Sequence, residues 1–461
     1  MKRPPNILFL MSDEHRADVA GFAGNTVIQT PTLDWLAQDG YVFNNAYTPS
    51  PACVPGRQCM MAGQLPKTAG CEGWFDLQPG HMTFARRFAE HAYQTTASGK
   101  LHHFGFDMMQ GWSHRTGALS DMVSTAGFND TRDEAALAQY KQDLWDVKWT
   151  ESKEVKRAGV GHSHYHTTDT IATQCAMETA REFFASPGYD RPKLPPLLLK
   201  LSLLKPHYPY QTTSENFDYY INRVEPFLDQ QVSAHPYLSK LQVRPGVDAS
   251  EREIRRATAA YYGMIHTIDE QYAQMLELLK HVGQNLDDWI IVYTSDHGEM
   301  LGEHGVWEKQ KFYEGSARVP LIIRWPNGLG KSNGRTIDQN VNLCDLFATL
   351  CDMADLPTPD GLDSRSLVPL MQGKTDNWQN ESISQYGPDT FMIKQDHLKY
   401  SWYGTDPSMP DVLFDLKKDP NENTDFINHT DYAQHVETFR KRLAALGHGP
   451  SADPNYQNAG Y

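Results

Sequence analysis

Short apolar runs alternate with segments of helical period through most of the chain, which predicts a sheet covered by helices on both faces. Asn6 to Met11 is apolar enough for a buried strand. Thr30-Pro31-Thr32 opens a helix through Ala37, Thr83 to His91 forms another, and Thr95 to Gly99 is a short strand. Further on, Thr168 to Phe184 is helical and Leu197 to Leu204 has the length of a central strand. From Glu251 to Val282, the residues Ile254, Tyr261, Ile265, Ile268, Tyr272, Met275 and Leu279 recur on a three- and four-residue spacing. One long amphipathic helix is expected there. Trp289 to Thr294 and Val319 to Trp325 read as strands, and Asn342 to Met353 as a helix.

Two stretches break this rhythm. Residues 105–165 collect Gly, Asp, Trp and His, and predict an irregular insertion over one face, the kind of segment that shapes a pocket. From about residue 375 the chain turns to short strands separated by turn residues, as in FMIKQDHLKYSWY and DVLFDLKKDPNEN, followed by a helix from Tyr432 to Leu446. The expected organisation is an α/β domain over residues 1–374 and a small antiparallel α+β subdomain over 375–461, ending in a loose tail, SADPNYQNAGY.

Composition narrows the function classes. The 461 residues carry 42 Lys and Arg against 57 Asp and Glu, a net charge of -15, which argues against a general nucleic-acid or anionic-membrane partner. An anionic substrate would need local attraction. The first apolar run, Ile7 to Met11, is too short for a signal-peptide core or a membrane span. As the sequence stands the expectation is a cytoplasmic protein, or a periplasmic or secreted one if a signal peptide was removed. The 6 cysteines show no zinc-ribbon spacing. Cys59, Cys71, Cys175, Cys344 and Cys351 read as small core residues.

The chemistry-bearing residues fall just past the carboxyl ends of expected strands, where open α/β sheets form their ligand crevice. Asp13-Glu14 follows the first strand, and Asp296-His297-Gly298 follows IIVYTS. Both suit a metal, although each alone suits a solvated turn as well. In PACVPGR, Pro55 fits the first turn of a helix, so Cys53 is expected near a helix N-terminus, where a thiol pKa would be lowered. A buried structural cysteine at a tight turn is the alternative. Gly99-Lys100-Leu101-His102 and Lys205-Pro206-His207 follow short apolar runs, and Lys309 lies in HGVWEKQKFYEG. Such lysines offer point charges to sulfate- or phosphate-like oxygens, and such histidines move protons.

In this order, a carboxylate pair, C-x-P-x-R, G-K-x-H, K-P-H-x-P, D-H-G and W-x-K before VPLI, the chain resembles the type I sulfatases of the alkaline phosphatase superfamily over nearly its whole length. The resemblance implies an alkaline-phosphatase-like fold, a large mixed and mostly parallel sheet sandwiched by helices. It implies that Cys53 is oxidised to formylglycine by a formylglycine-generating enzyme that reads Pro55 and Arg57, and that Arg57 steadies the hydrated aldehyde. Asp13, Glu14, Asp296 and His297 match the metal ligands, with calcium the usual ion. In the implied reaction one diol hydroxyl attacks sulfur while the metal, Lys100 and Lys309 neutralise the sulfuryl oxygens. His207 protonates the departing alcohol, and His102 helps the second hydroxyl expel sulfate.

The chain departs from the family pattern at three places. Gly56 stands where Ser or Ala is commoner, Glu14 where Asp is, and His297 where Asn is. His297 places the chain with an Asp-His branch beside choline-sulfatase-like and phosphonate-monoester-hydrolase-like proteins, and its imidazole also suits manganese or zinc. HSHYH, with His162, His164 and His166 at alternate positions, reads as a polar surface on a strand or loop, or as a second metal site. His164, His166, Glu72 and Trp74 are taken to line a leaving-group pocket suited to a sulfated carbohydrate. The alternatives are a phosphonate monoester or phosphodiester hydrolase, a choline sulfatase that uses Glu72 and Trp74 as a cage, and a non-catalytic anion- or glycan-binding protein whose Cys53 stays a thiol.

Overall fold

The computed structural model describes residues 4–117, 151–185 and 195–448. The strands of the larger part are β1 (Ile7–Asp13), β2 (Tyr41–Tyr47), β3 (Gln94–Gly99), β4 (His114–Thr116), β5 (Gly159–Val160), β6 (Leu197–Pro206), β7 (Gln211–Thr212), β8 (Ile290–Ser295), β9 (Arg318–Val319), β10 (Leu321–Arg324) and β11 (Thr336–Asn342). Nine of them form one sheet in the order β11-β2-β10-β8-β1-β6-β3-β4, with β9 paired to β2. β5 and β7 pair separately. The sheet is mixed and mostly parallel, because β10 runs against both β8 and β2 while β8, β1, β6, β3 and β4 run together.

Alternation along β1 explains the layers. Ile7, Phe9 and Met11 pack on one face with Met60, Phe84 and Phe347, while Leu8 and Leu10 pack on the other with Ala172, Ile268 and Tyr272. Both faces are covered, so β1 and β6 are buried along their full lengths, as a two-sided apolar strand requires. The long helix runs Glu251–His281 and starts from a capping box in which Ser250 and Glu253 satisfy each other's backbone N–H groups. From it, Tyr272 donates to Met11 O at 2.8 Å, and Tyr261 donates to Glu14 O at 2.7 Å while accepting from Arg16 N at 2.8 Å. The helix therefore fixes the end of β1 and the turn that follows it.

A second sheet, β12 (Glu381–Gln385), β13 (Phe391–Gln395), β14 (Leu398–Trp402) and β15 (Val412–Asp415), is antiparallel throughout and packs under the helix Ala433–Ala445. It is tied to the large sheet by Asn342, whose amide donates to Ile383 O at 2.6 Å, and by the buried Lys399, which pairs with Glu314 at 3.0 Å and with Glu422.

The structure corrects several expectations. The stretch 105–165 is not irregular throughout: β4 extends the main sheet, and β5 and the helix Glu151–Lys156 are regular, while residues 118–150 lie outside the described residues, as does the tail. The helix expected from Thr168 starts at His164. β2 and β11 were not expected, since YVFNNAY and TIDQNVN each carry adjacent polar residues that blur a strand's pattern. Residues near Asn342 end a strand, and the helix begins only at Asp345. Cys59, Cys71, Cys344 and Cys351 are buried, but Cys175 is only half-buried. Among the described residues no helix is long and apolar enough to cross a membrane.

Tyr261→Phe strands Glu14 O and Arg16 N without their partner, so the urea midpoint should fall by the equivalent of about 1–3 kcal/mol. An unchanged midpoint would show that this phenol does not hold the β1 turn.

Candidate active site

Strand register brings the distant polar clusters together. Met11 pairs with Ser202, Ser12 with Ser295, and Gly99 with Ser202, so the parallel strands β3, β6, β1 and β8 all end at one level. Asp13 closes β1, and Glu14, Lys100, His207 and Asp296-His297 follow the strand ends directly. Gly99 allows the close approach: its φ is +88°, and a Cβ there would meet Ser202 O at 2.0 Å. Glu14, His102, Glu308 and Gln310 all carry positive φ, a concentration of unfavourable backbone around one crevice.

Cys53 is the first residue of the helix Cys53–Ala62 and is 1% exposed. Its Sγ lies 3.1 Å from His297 Nε2 and 3.7 Å from Asp13 Oδ1. The expectation of a lowered thiol pKa fails. Burial, reinforced by the Asp13 charge, pushes it up to about 12 despite the helix N-terminus and nearby lysines. Gly56 has a plain reason, because a Cβ would come within 2.8 Å of Ser50 O and 3.2 Å of Asp296 O. The next helical turn carries Arg57, fully buried, which forks between Asp296 Oδ2 at 2.7 Å and Asp13 Oδ2 at 2.9 Å. Its remaining nitrogen donates to Lys100 O and to Ser202 Oγ, each at 2.8 Å.

Lys100 Nζ reaches Asp13 Oδ2 at 2.6 Å. Burial opposes the Asp13 charge, yet Lys100 and Arg57 together hold its carboxyl well below the usual range. Lys309 Nζ lies 2.9 Å from Glu14 Oε2 and 2.8 Å from His207 Nε2, and the Tyr208 ring faces it at 4.7 Å. Burial works against the Lys309 charge, but Glu14 keeps it protonated. His207 and His297 bond through Nδ1 to backbone carbonyls, of Tyr208 at 2.7 Å and Gly298 at 2.9 Å. With Nδ1–H as donor, Nε2 in each ring is left as the lone pair facing the crevice. Burial, and then the Lys309 ammonium, push His207 well below its ordinary pKa.

The ligand atoms of Asp13, Cys53, Asp296 and His297 lie within 4.8 Å of one another, all buried. Two buried carboxylates converging with an imidazole nitrogen form a donor set that fits a divalent cation. Glu14 stands to one side, in an adjoining group with Asp13 and His207. Three of the four expected metal ligands thus converge with Cys53, and Glu14 reaches the crevice edge paired to Lys309.

The expected pocket residues fare differently. His102 is buried and stands between Trp74, at 6.3 Å between rings, and Phe104, at 4.9 Å. Trp74 donates to Tyr386 OH at 3.3 Å, so it joins the site to the second sheet. Glu72 accepts from Gln385 at 2.6 Å at that same junction. Because a helix begins at His164, HSHYH is neither strand nor loop throughout. His166 stacks with His162 at 4.8 Å, His164 is exposed, and the turn instead directs Tyr165 toward His207 at 5.9 Å. Tyr165, Tyr208 and Ser202 were missed. Their only sequence signal was adjacency to chemistry-bearing residues, which does not distinguish them from their neighbours.

A family model described as Sulfatase matches residues 5–356, and one described as N-sulphoglucosamine sulphohydrolase, C-terminal, matches residues 302–448. The chain is 30% identical over 464 residues to an arylsulfatase of Clostridium perfringens, covering 95% of this chain and 93% of that protein. It is 31% identical over 447 residues to a choline-sulfatase of Rhizobium meliloti, covering 92% and 83%. The phosphonate monoester hydrolase of Agrobacterium radiobacter shares the fold, with a TM-score of 0.75 at 22% identity over 96% of this chain and 95% of that one.

Arg57→Lys keeps the charge but cannot span Asp13 and Asp296 at once, so it should lose about 100-fold or more in kcat/KM through misplaced ligands. Retention of near wild-type turnover by the lysine variant would show that charge alone suffices there.

Proposed function

The chain belongs to the sulfatase family, and from that premise we propose that it hydrolyses the sulfate ester of a sulfated carbohydrate, using formylglycine made from Cys53 and one divalent metal. Membership makes it a sulfuric ester hydrolase. The observation that carries the finer reading is the buried group of Asp13, Cys53, Asp296 and His297 around Arg57, flanked by Lys100 and Lys309.

A divalent ion held by Asp13, Asp296 and His297, with Glu14 beside them, would offset the ester's charge and acidify the nucleophile. The oxygen-rich donors favour calcium, and the imidazole also admits manganese or zinc. Conversion of Cys53 supplies a hydrated aldehyde in place of the thiol. Since Cys53 is 1% exposed, a formylglycine-generating enzyme must read Cys53, Pro55 and Arg57 before the chain closes over them.

Lys100 and Lys309 approach the crevice from β3 and from the loop after β8, and in this reading they neutralise two sulfuryl oxygens. His207 meets the leaving oxygen. A bound sulfate ester adds negative charge beside its ring, which draws its pKa back up and charges it for proton donation. His102, against Lys100, takes the proton when sulfate is expelled. Trp74 and His102 supply ring surface with polar edges, which suits a sugar. The C-terminal match to a family named for a sugar sulphohydrolase also supports that class.

Choline sulfate is the second reading, favoured by the choline-sulfatase relative, and the aromatic walls would suit its ammonium. Parallel kcat/KM values on monosaccharide sulfates, choline sulfate, 4-nitrophenyl sulfate and an aryl phosphonate separate the readings. A sugar sulfate should lead. Choline sulfate ahead of every sugar would select the second reading, and phosphonate ahead of every sulfate would overturn both.

A further inference from the structure

The helix His164–Ala185 delivers one side chain to the crevice that neither metal binding nor sulfuryl binding uses. Tyr165 sits with its ring 5.9 Å from that of His207, inclined at 75°, and 4.2 Å from that of His164. Lys100, Asp13, Lys309 and Cys53 all act electrostatically on its phenol, so Tyr165 borders the crevice that those groups line. The other tyrosines near the β1 and β8 ends are committed: Tyr210 to Glu299 at 2.9 Å, Tyr261 to Glu14 O, Tyr272 to Met11 O, and Tyr293 to Ser12 at 3.0 Å. Tyr208 faces the Lys309 ammonium with its ring. Among the described residues the Tyr165 hydroxyl meets no protein donor or acceptor, and the side chain is half-buried.

We infer that Tyr165 is a specificity-determining residue, its hydroxyl bonding a hydroxyl group of the leaving alcohol beside the ester oxygen that His207 protonates. Lys100 and Lys309 claim the sulfuryl end, His207 marks the bridging oxygen, and the Tyr165 ring stands beside His207, 5.9 Å away. A phenol both donates and accepts, so it matches an alcohol hydroxyl and has nothing to match on a plain aryl group. The ligand class is therefore an alcohol with a second hydroxyl near the sulfated carbon, as in a sugar ring. This inference rests on the carbohydrate reading above.

The test is Tyr165→Phe in the full, metal-loaded, Cys53-converted enzyme, assayed on the best monosaccharide sulfate of the panel and on 4-nitrophenyl sulfate. The expected result is a loss of about 10-fold or more in kcat/KM on the sugar, mostly in KM, with the aryl sulfate within about 2-fold of wild type. Tyr165→His, which restores a donor, should recover part of the sugar rate. Equal losses on both substrates would overturn the inference in favour of a role in the reaction itself, and no loss on either would overturn it outright. A wild-type enzyme active on 4-nitrophenyl sulfate and on none of the sugars would instead remove the carbohydrate reading, and this inference with it.

Discussion

The fork of Arg57 between Asp13 and Asp296 is the interaction on which the rest of the structure depends. Two carboxylates from separate strands lie fully buried within reach of each other, an arrangement that repulsion and lost hydration would not permit unaided. Arg57 offers each a directed hydrogen bond and spends its third nitrogen on Lys100 O and Ser202, so one side chain ties β1, β3, β6 and β8 at their ends. Everything acidic in the crevice then requires a cation: Lys100 answers Asp13, Lys309 answers Glu14, and the remaining convergence of Asp13, Asp296, His297 and Cys53 is what a divalent ion would complete.

Much of this was legible in the sequence because the strand ends were legible. Apolar runs followed at once by Asp13, Lys100, Lys205 or Asp296 mark where a sheet meets its ligand, whatever the strand order. The order itself was not visible. That β1 sits between β6 and β8 follows from long-range pairing, and strands such as β2 and β11, with adjacent polar residues, lack the periodicity that would have announced them. The Cys53 thiol shows the same limit. A helix N-terminus can be read from Pro55, but the burial that overrides it cannot. Gly56 looked arbitrary until Ser50 O and Asp296 O were found against its missing Cβ. HSHYH misled because a two-residue period was assumed where a helix begins, which put His164 and His166 in the expected pocket while Tyr165 is the residue that meets His207.

The second sheet belongs to the same account. Lys399 is fully buried between Glu314 and Glu422, just beyond the loop that carries Lys309, while Gln385 and Tyr386 hold Glu72 and Trp74 at the edge of the crevice. In the proposed reading, sulfuryl recognition rests on the large sheet. On that reading the wall proposed to meet the rest of the substrate is shared with the small one, so changes in the C-terminal sheet would alter substrate choice without touching the Asp13, Asp296 and His297 group.

The most direct test is to measure, on one set of preparations, the fraction of Cys53 converted to aldehyde by peptide mass and the turnover of 4-nitrophenyl sulfate with divalent metal in excess. The account predicts turnover proportional to conversion and passing through zero where all of Cys53 remains a thiol. Full turnover in a preparation carrying only the thiol would contradict it.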